Sequence, residues 1–517
     1  MSDNSTPTST HPSATKGIVY LVGAGPGAPD LLTLRGAQCL RKAECVIYDY
    51  LVNPSILGHA PPAAERICLG QHGRSRIWPP SEVNQLVISK ARQGLTVVRL
   101  KGGDPIVFGH GAEELQALVE ANIPFEVVPG ISAGLAAGAY AGIPLTHRET
   151  SSAVALVTGQ EDHDKTSSSL DYAMLGRFPG TLVFYMGVTT AEQWSLRLIE
   201  GGLDPQTPVA IIRRCSHPDQ TIIECRLDEV AQRVEGPPKL RPPAIFVVGK
   251  VVSLAGHLNW FSHRLLFGQT ILVARPAAQS QELIEPLERL GARVLNQPAI
   301  TIGPPADWQP VDDAIRELPS YAWIVFSSSN GVDWFMNRLR DRGFDARQLG
   351  RSSIAAIGPG TAAALESYGL RADCVPNEYR AEALAEALQD QVAGKQVLLV
   401  RASRGRELLG DTLAQAGALV RSVVAYSSID VEAADEEIAA LMRSGKVDWT
   451  VVTSSSIAQA LARFFGESLL KTRIVSISPV TSATLAELGF PATVESQVHT
   501  MQGIVDAIQR DAVKAEP

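Results

Sequence analysis

Three glycine-rich bends, each closing a run of apolar residues, are where the side-chain types and spacing of this chain first suggest chemistry. Gly23-Ala24-Gly25-Pro26-Gly27 follows Ile18-Val19-Tyr20-Leu21-Val22, Gly102-Gly103-Asp104-Pro105 follows Val98-Arg99-Leu100-Lys101, and Gly130-Ile131-Ser132-Ala133 follows Val128-Pro129. Glycine at a strand end lets backbone approach a ligand closely, and N–H groups at the helix that follows favour anions. One such bend fits dinucleotide binding, and Asp49 lies near the place of a ribose-binding acid. Pro26 argues against a pyrophosphate cradle, because proline has no N–H to hold a phosphate oxygen. A tight turn with no ligand is the alternative for any one bend alone. Phe184-Tyr185-Met186-Gly187 and Gly142-Ile143-Pro144-Leu145-Thr146-His147-Arg148 are further elements of the same half.

The second half carries a different chemistry, built from hydroxyls and arginines that recur. Arg275 and Arg401 end similar apolar runs 126 residues apart, and Trp323 recurs at the same spacing as Trp449. Ile357-Gly358-Pro359-Gly360-Thr361 matches Ile477-Ser478-Pro479-Val480-Thr481 at a spacing of 120, so one connection is shorter by six residues. Two copies of a small α/β unit with a cleft between them form a favoured ligand site. Ser327, Ser329, Thr361, Ser454 and Thr481 are candidate anion holders, with Arg275, Arg380, Arg401 and Arg404 nearby. Helix N-capping is the plain role for Thr361 and Thr481.

These groups need strands and helices to place them. At 517 residues the chain is long enough for three or four domains. Strands at Ile18–Val22, Cys45–Tyr48 and Thr96–Leu100, with helical spacing over Leu31–Ala43, predict a mainly parallel sheet. A second lobe follows from about Ala133, with strands Val154–Val157, Thr181–Tyr185, Val209–Ile212 and Ala244–Val248, and a polar loop over Glu161–Ser169. In the duplicated half, Ile271–Leu290 is expected to pack with strands from Trp449 onward, while Val397–Tyr426 closes the other lobe. Chain crossings near Pro298–Ile302 and Tyr426–Asp430 would form a hinge.

Composition narrows the class. A net charge of −8 without a basic run argues against nucleic acid as a partner. Six scattered cysteines with no C-x-x-C pair support neither a zinc site nor a disulfide framework, which predicts no metal and a reducing, cytoplasmic location. Residues 1–16, rich in Ser, Thr and Pro, read as a disordered tail and not a signal peptide. The longest weakly polar stretch, Gly130–Leu145, falls short of the roughly 20 residues of a membrane span, so no membrane is expected as partner.

The ordered motifs of residues Gly17–His263 resemble the uroporphyrinogen-III C-methyltransferases of the tetrapyrrole methylase family. The resemblance implies S-adenosylmethionine held between two α/β lobes by Pro26, Gly102, Gly103, Asp104, Val107, Ser132, Ala133, Met186, Cys215 and Ala244. It implies two methyl transfers to pyrrole carbons of uroporphyrinogen III, giving precorrin-2, with Asp49 at the place of the family's proposed base. This chain departs from the family where a lysine usually stands: it reads Leu69-Gly70-Gln71-His72-Gly73-Arg74, and Tyr50 replaces a common arginine. His72, Arg74 and Arg76 are the expected binders of the substrate's carboxylates, with Arg35, His147 and Arg148 as further candidates. The family also implies a homodimer through this module.

Gly268–Gln509 resembles uroporphyrinogen-III synthase, on Leu272-Val273-Ala274-Arg275-Pro276, Phe326-Ser327-Ser328-Ser329-Asn330-Gly331-Val332, Ile357–Ala362 and Thr453-Ser454-Ser455-Ser456. The resemblance implies cyclisation of hydroxymethylbilane without a cofactor, with Tyr426 in the place of the family's suspected acid. The expected fold class is therefore α/β: a tail over 1–16, a two-lobed methylase module over 17–265 (lobes about 17–132 and 133–265), and a duplicated two-lobed synthase module over 266–517 (lobe one 266–302 with 428–517, lobe two 303–427). Its partners would be small tetrapyrroles. A ligand-binding regulator built on the hinged second half is the competing class; the lack of a helix-turn-helix signal or basic tail counts against it. Pro26 and the Gly102–Pro105 run disfavour a nicotinamide dehydrogenase.

Overall fold

Apolar runs four to seven residues long become strands buried on both faces. A computed structural model describes residues 17–70, 78–161, 169–404 and 408–515. The tail expected over 1–16 and positions 162–168 of the predicted polar loop lie outside the described residues. The chain divides into two compact units. One holds the described residues up to Gln269, with Leu287–Arg293 and the chain from Ala512; the other holds Thr270–Pro286 and Val294–Asp511.

The first unit contains two sheets. One comprises β1 (Val19–Gly23), β2 (Cys45–Tyr48), β3 (Glu65–Cys68), β4 (Val97–Lys101) and β5 (Phe125–Val128), in the order β3-β2-β4-β1-β5. All its pairings are parallel. Strand alternation sends Val22, Val46 and Val98 into one core and Val19, Ile47 and Val97 into another. The helix expected over Leu31–Ala43 is shorter. A 3-10 turn occupies Pro29–Leu31, and the α-helix runs Leu34–Arg41 after Thr33 caps it by accepting the Gly36 N–H.

The other sheet comprises β6 (Val154–Thr158), β7 (Thr181–Tyr185), β8 (Pro208–Arg213), β9 (Thr221–Arg226) and β10 (Ala244–Val248), in the order β6-β7-β10-β8-β9. Only β6 and β7 pair in parallel. Its core is anchored by Trp194, stacked on Phe184 at 4.4 Å between ring centres.

The second unit repeats one arrangement. Its strands are β11 (Thr270–Val273), β12 (Arg293–Asn296), β13 (Ile300–Gly303), β14 (Trp323–Phe326), β15 (Ser353–Ala356), β16 (Gln396–Ala402), β17 (Leu419–Asp430), β18 (Trp449–Val452), β19 (Arg473–Ser476) and β20 (Val494–Glu495). One sheet has the order β12-β11-β18-β19-β20, the other β13-β17-β16-β14-β15. Trp323 and Trp449 open equivalent strands, and β15 and β19 follow each beside it. Even the last strand has its counterpart: Val475 pairs with Val494, and 120 residues earlier Ala355 bridges Cys374. The two crossing segments pair with each other, Ile300 opposite Asp430 and Gly303 opposite Ser427, as an antiparallel ribbon.

The glycine bends of the first sheet are packed backbone to backbone. Gly25 and Gly103 exchange both hydrogen bonds (3.1 and 2.7 Å), and Ala24 donates to the Lys101 carbonyl at 2.7 Å. A Cβ on Gly130 would lie 2.2 Å from the Gly103 carbonyl oxygen and 2.8 Å from the Gly23 Cα. Backbone cannot yield as a side chain does. Gly130→Ala is therefore expected to destabilise the first unit by more than about 3 kcal/mol, the upper range of overpacking. Urea unfolding measures it; an unchanged midpoint would show that these bends are not in contact.

Candidate functional site

The first candidate site lies at the carboxyl ends of β1, β2, β4 and β5, where open parallel sheets hold ligands. Large apolar side chains that would ordinarily be buried stand exposed there: Leu51 after β2, Ile106 and Phe108 after β4, Ile131 after β5. Met186, after β7 of the other sheet, is 45% exposed. Phe108, His110 and Met186 also hold positive φ angles (54°, 55° and 53°) without being glycine. Such strain collects where a loop's conformation serves function.

The glycines divide by what requires them. Gly130 and Gly23 are required by the chain's own packing, and Gly103 by its φ of 67°. Gly102 answers to neither: it lies outside the left-handed region, and a Cβ there would meet only the Leu51 Cβ, at 3.6 Å. The open space beside it fits a ligand that must pass close to backbone.

Asp104 serves the loops. Its Oδ1 accepts the N–H groups of Ile106 (2.8 Å) and Val107 (3.2 Å), and its Oδ2 accepts Gly130 N–H at 3.1 Å. One carboxylate thus ties two bends together and keeps about one lone pair for a ligand. Pro26 sits in the first bend. Val107 and Ala133 pack against the core of the second sheet. Ser132 is buried, with its Oγ 2.7 Å from the Tyr185 hydroxyl. Cys215 is buried, which pushes its thiol up to about 12, so it stays neutral. Ala244 opens β10 opposite Arg213.

Asp49 follows β2 and is held by a buried charge network that the sequence did not reveal. Arg99, in the middle of β4, has a side chain 4% exposed. Its Nη2 donates to Asp49 Oδ1 at 2.6 Å and to Glu114 Oε1 at 3.1 Å, and Lys101 Nζ reaches Glu114 Oε1 at 2.5 Å. Burial acts to lower the Arg99 pKa, but the two carboxylates outweigh it and leave the guanidinium above its ordinary value. Two cations meet two anions, and Asp49 is the member nearest solvent, its side chain 29% exposed.

A second contact braces the first bend. His217 packs its ring on Gly27, where a Cβ would lie 2.3 Å from Nε2, and Ser216 Oγ accepts the Ala28 N–H at 2.9 Å. Gln220 completes it, accepting from Ser216 N–H (2.9 Å) and donating to the Tyr140 carbonyl (3.0 Å). Burial first, and then Arg214, push the His217 imidazole down to about 4. Gln71, His72, Arg74 and Arg76 lie outside the described residues. Arg35 is taken up by Glu126, at 2.6 and 2.7 Å. Arg148 is exposed, and His147 Nδ1 accepts the Glu149 N–H at 3.3 Å.

In the second unit the repeat places hydroxyls at equivalent helix starts. Ser328 caps helix Ser329–Asp341 by accepting Gly331 N–H, and Ser454 caps helix Ser455–Phe465 by accepting Ile457 N–H. Thr361 and Thr481, both buried, stand in the first turns of helices Pro359–Ser367 and Pro479–Glu487. Tyr426, 6% exposed in β17, has its hydroxyl 3.0 Å from Ser328 Oγ. The pairing of Ser328 with Tyr426, 98 residues away in sequence, depends on the fold. Ser327 donates to the Val400 carbonyl at 3.1 Å, beside Arg401, whose Nε donates to Ser422 Oγ at 2.9 Å. Arg275 contacts Met501 Sδ and Gln279, and burial lowers its pKa. Arg380 pairs with Glu378 and Arg404 with Asp430. Gln279 Nε2 donates to Asn330 Oδ1 at 3.1 Å, joining the lobe of Arg275 to the helix that Ser328 opens.

Two predictions follow from these contacts. Arg99→Met leaves Asp49 and Glu114 without their shared cation, so denaturant unfolding should show a loss of about 3–5 kcal/mol; a change under about 1 kcal/mol would refute the network. His217 has a folded value near 4 against an ordinary 6.5, so its contribution is complete above pH 6.5 and is lost as pH falls toward about 4. His217→Gln should flatten that decline in thermal unfolding between pH 7 and 4.5, and an unaltered decline would place its origin elsewhere.

With this geometry in view, comparison with known proteins is specific. Residues 18–231 match the family of Tetrapyrrole (Corrin/Porphyrin) Methylases, and residues 281–506 match Uroporphyrinogen-III synthase HemD. The "Porphyrin biosynthesis protein HemD" of Ruminiclostridium josui is 37% identical over 384 residues, 74% of this chain and 76% of that protein. The "S-adenosyl-L-methionine-dependent uroporphyrinogen III methyltransferase" of Methanosarcina barkeri (strain Fusaro / DSM 804) is 46% identical over 47% of this chain and 94% of its own. The native crystal structure of uroporphyrin III C-methyl transferase from Thermus thermophilus is 39% identical, covering 46% of this chain and 94% of that one, with a TM-score of 0.40. The chain thus belongs to both families, uroporphyrinogen-III C-methyltransferase in its first part and uroporphyrinogen-III synthase in its second, fused in one polypeptide.

Proposed function

We propose that this bifunctional enzyme of tetrapyrrole biosynthesis closes hydroxymethylbilane to uroporphyrinogen III in its second unit and methylates that product in its first. The observation that carries the methylation is the open backbone at Gly102, among apolar side chains exposed at the strand ends. These residues fit S-adenosylmethionine: glycine backbone for close approach and soft walls at Met186 and Cys215. When bound, S-adenosylmethionine supplies an electrophilic sulfonium methyl for displacement by a ring carbon. Ser132 and the backbone at Ala133 hold the cofactor, and Pro26 and Val107 shape its pocket. The alignment of carbon, methyl and sulfur is a positioning effect.

Asp49 accepts the proton that the methylated ring must lose. Arg99 holds it fixed in direction. The proton leaves a cationic ring system, for which a carboxylate suffices as base. His72, Arg74 and Arg76 bind the substrate's carboxylates and take over the charge that Gln71 does not supply. Two copies of the chain pair through this unit.

In the second unit Tyr426 donates a proton to the departing hydroxyl of the linear tetrapyrrole, and Ser328 holds the phenol in place. Ser329, Thr361, Ser454 and Thr481, with Arg275 and Arg401, receive the carboxylates, while Ser327 gives its hydroxyl proton to the Val400 carbonyl and braces the site from behind. Hydroxyls and N–H groups suit a reaction whose cationic intermediate must be shielded from water.

Hydroxymethylbilane supplied to the purified chain should give uroporphyrinogen III without S-adenosylmethionine and precorrin-2 with it, identified by mass and absorbance. Asp49→Asn should cut methylation by about 10²–10⁴-fold while cofactor affinity is retained, the usual span for a general base. Tyr426→Phe should slow only the cyclisation. Cofactor binding with no methylated product would overturn the reading of the first unit.

A further inference from the structure

We propose that Tyr185 is a positioning residue for methyl transfer: its hydroxyl, bonded to Gly134 N–H and Ser132 Oγ, directs the Ser132 hydroxyl outward as a donor to the cofactor. This rests on the reading above that Ser132 contacts the cofactor.

Helix Ala133–Ala141 follows β5 of the first sheet and begins without the usual aid. Ser132 stands at its N-cap position, yet its side chain caps nothing. The missing acceptor comes from the other sheet. Tyr185, the last residue of β7, brings its hydroxyl 2.8 Å from Gly134 N–H and 2.7 Å from Ser132 Oγ. Gly134 is what admits it, since a Cβ there would lie 2.4 Å from the phenolic oxygen. Tyr185 is 7% exposed, and its ring lies 4.8 Å from that of Phe108. One side chain therefore touches the loop after β4 and the helix start after β5, and directly precedes Met186. All three carry residues assigned to the cofactor.

Hydrogen counting gives the direction. The phenolic oxygen accepts from Gly134 N–H and has one proton to give. If that proton goes to Ser132 Oγ, the serine's own proton is free for an acceptor on the ligand. In the reverse order the phenol's proton would have no acceptor among the described residues, a costly arrangement for a buried group. Burial raises the Tyr185 pKa, which keeps that proton in place. A chain of this kind polarises each donor in turn.

The test is a double-mutant cycle on the full chain, using calorimetric titration of S-adenosylhomocysteine. Y185F and S132A should each weaken binding by about tenfold, the scale of one directed hydrogen bond. The double variant should be no weaker than S132A alone. The Michaelis constant for S-adenosylmethionine in Y185F should rise in parallel with turnover retained. Partial misfolding would lower the rate without moving that constant, so the split remains readable in a damaged sample. If S132A weakens binding and Y185F stays within about twofold of wild type, or if the two losses multiply, the inference fails alone. If S132A itself binds normally, the reading of Ser132 fails and takes the inference with it.

Discussion

The first unit depends on how closely its backbone segments approach one another. The Gly103 carbonyl oxygen occupies the space that a Cβ on Gly130 would need, and Gly25 and Gly103 bond to each other as a two-residue ladder. A side chain at Gly23 or Gly130 would push the ends of β1, β4 and β5 apart. Asp104 then fixes the same bends from a third direction. Residues from three strands therefore meet at one place with no freedom to drift. Such rigidity is what methyl transfer needs, since a reaction governed by alignment loses rate when the partners shift by an ångström. The buried Arg99 network extends this constraint to Asp49.

The second unit reaches its order by duplication. Ser328 and Ser454 cap equivalent helices, and Thr361 and Thr481 are buried at equivalent first turns. A pseudo-symmetric pair of lobes offers N–H groups and hydroxyls in matching sets, which suits a long, flexible polyacid. The copies then differ where chemistry is specific. Tyr426 meets Ser328 in one lobe, while in the other Ser454 meets Ser456 instead. Among the described residues, one half of the pair thus sets a phenol beside its helix cap where the other sets a second serine.

The fold class was legible because local signals and global order agree. Apolar runs ending in glycine became β1 and β4, each one residue later than the spacing implies, while Thr181–Tyr185 and Ala244–Val248 match to the residue. The helix over Leu31–Ala43 was read too long, because apolar spacing continues through a 3-10 turn that Thr33 separates from the helix. The edge strands β3, β5 and β9 escaped notice because their patterns are partly exposed. Contacts made across the chain were not legible. Asp104 finds Gly130, Asp49 finds Arg99, Ser132 finds Tyr185, and Ser328 finds Tyr426 over separations of 26, 50, 53 and 98 residues, and no local pattern records such pairings. Sequence could name Asp104 as a candidate, but only the fold shows both of its oxygens accepting backbone N–H groups.

The central claim is that the space beside Gly102 belongs to the cofactor and not to the chain. Titrating S-adenosylhomocysteine into wild type and Gly102→Val tests it directly, because a Cβ there meets nothing of the protein closer than 3.6 Å. Filling that space with isopropyl should weaken binding by about a hundredfold or more, with the unfolding temperature held, as a steric block in a ligand site does. Equal affinity in the two proteins would contradict it.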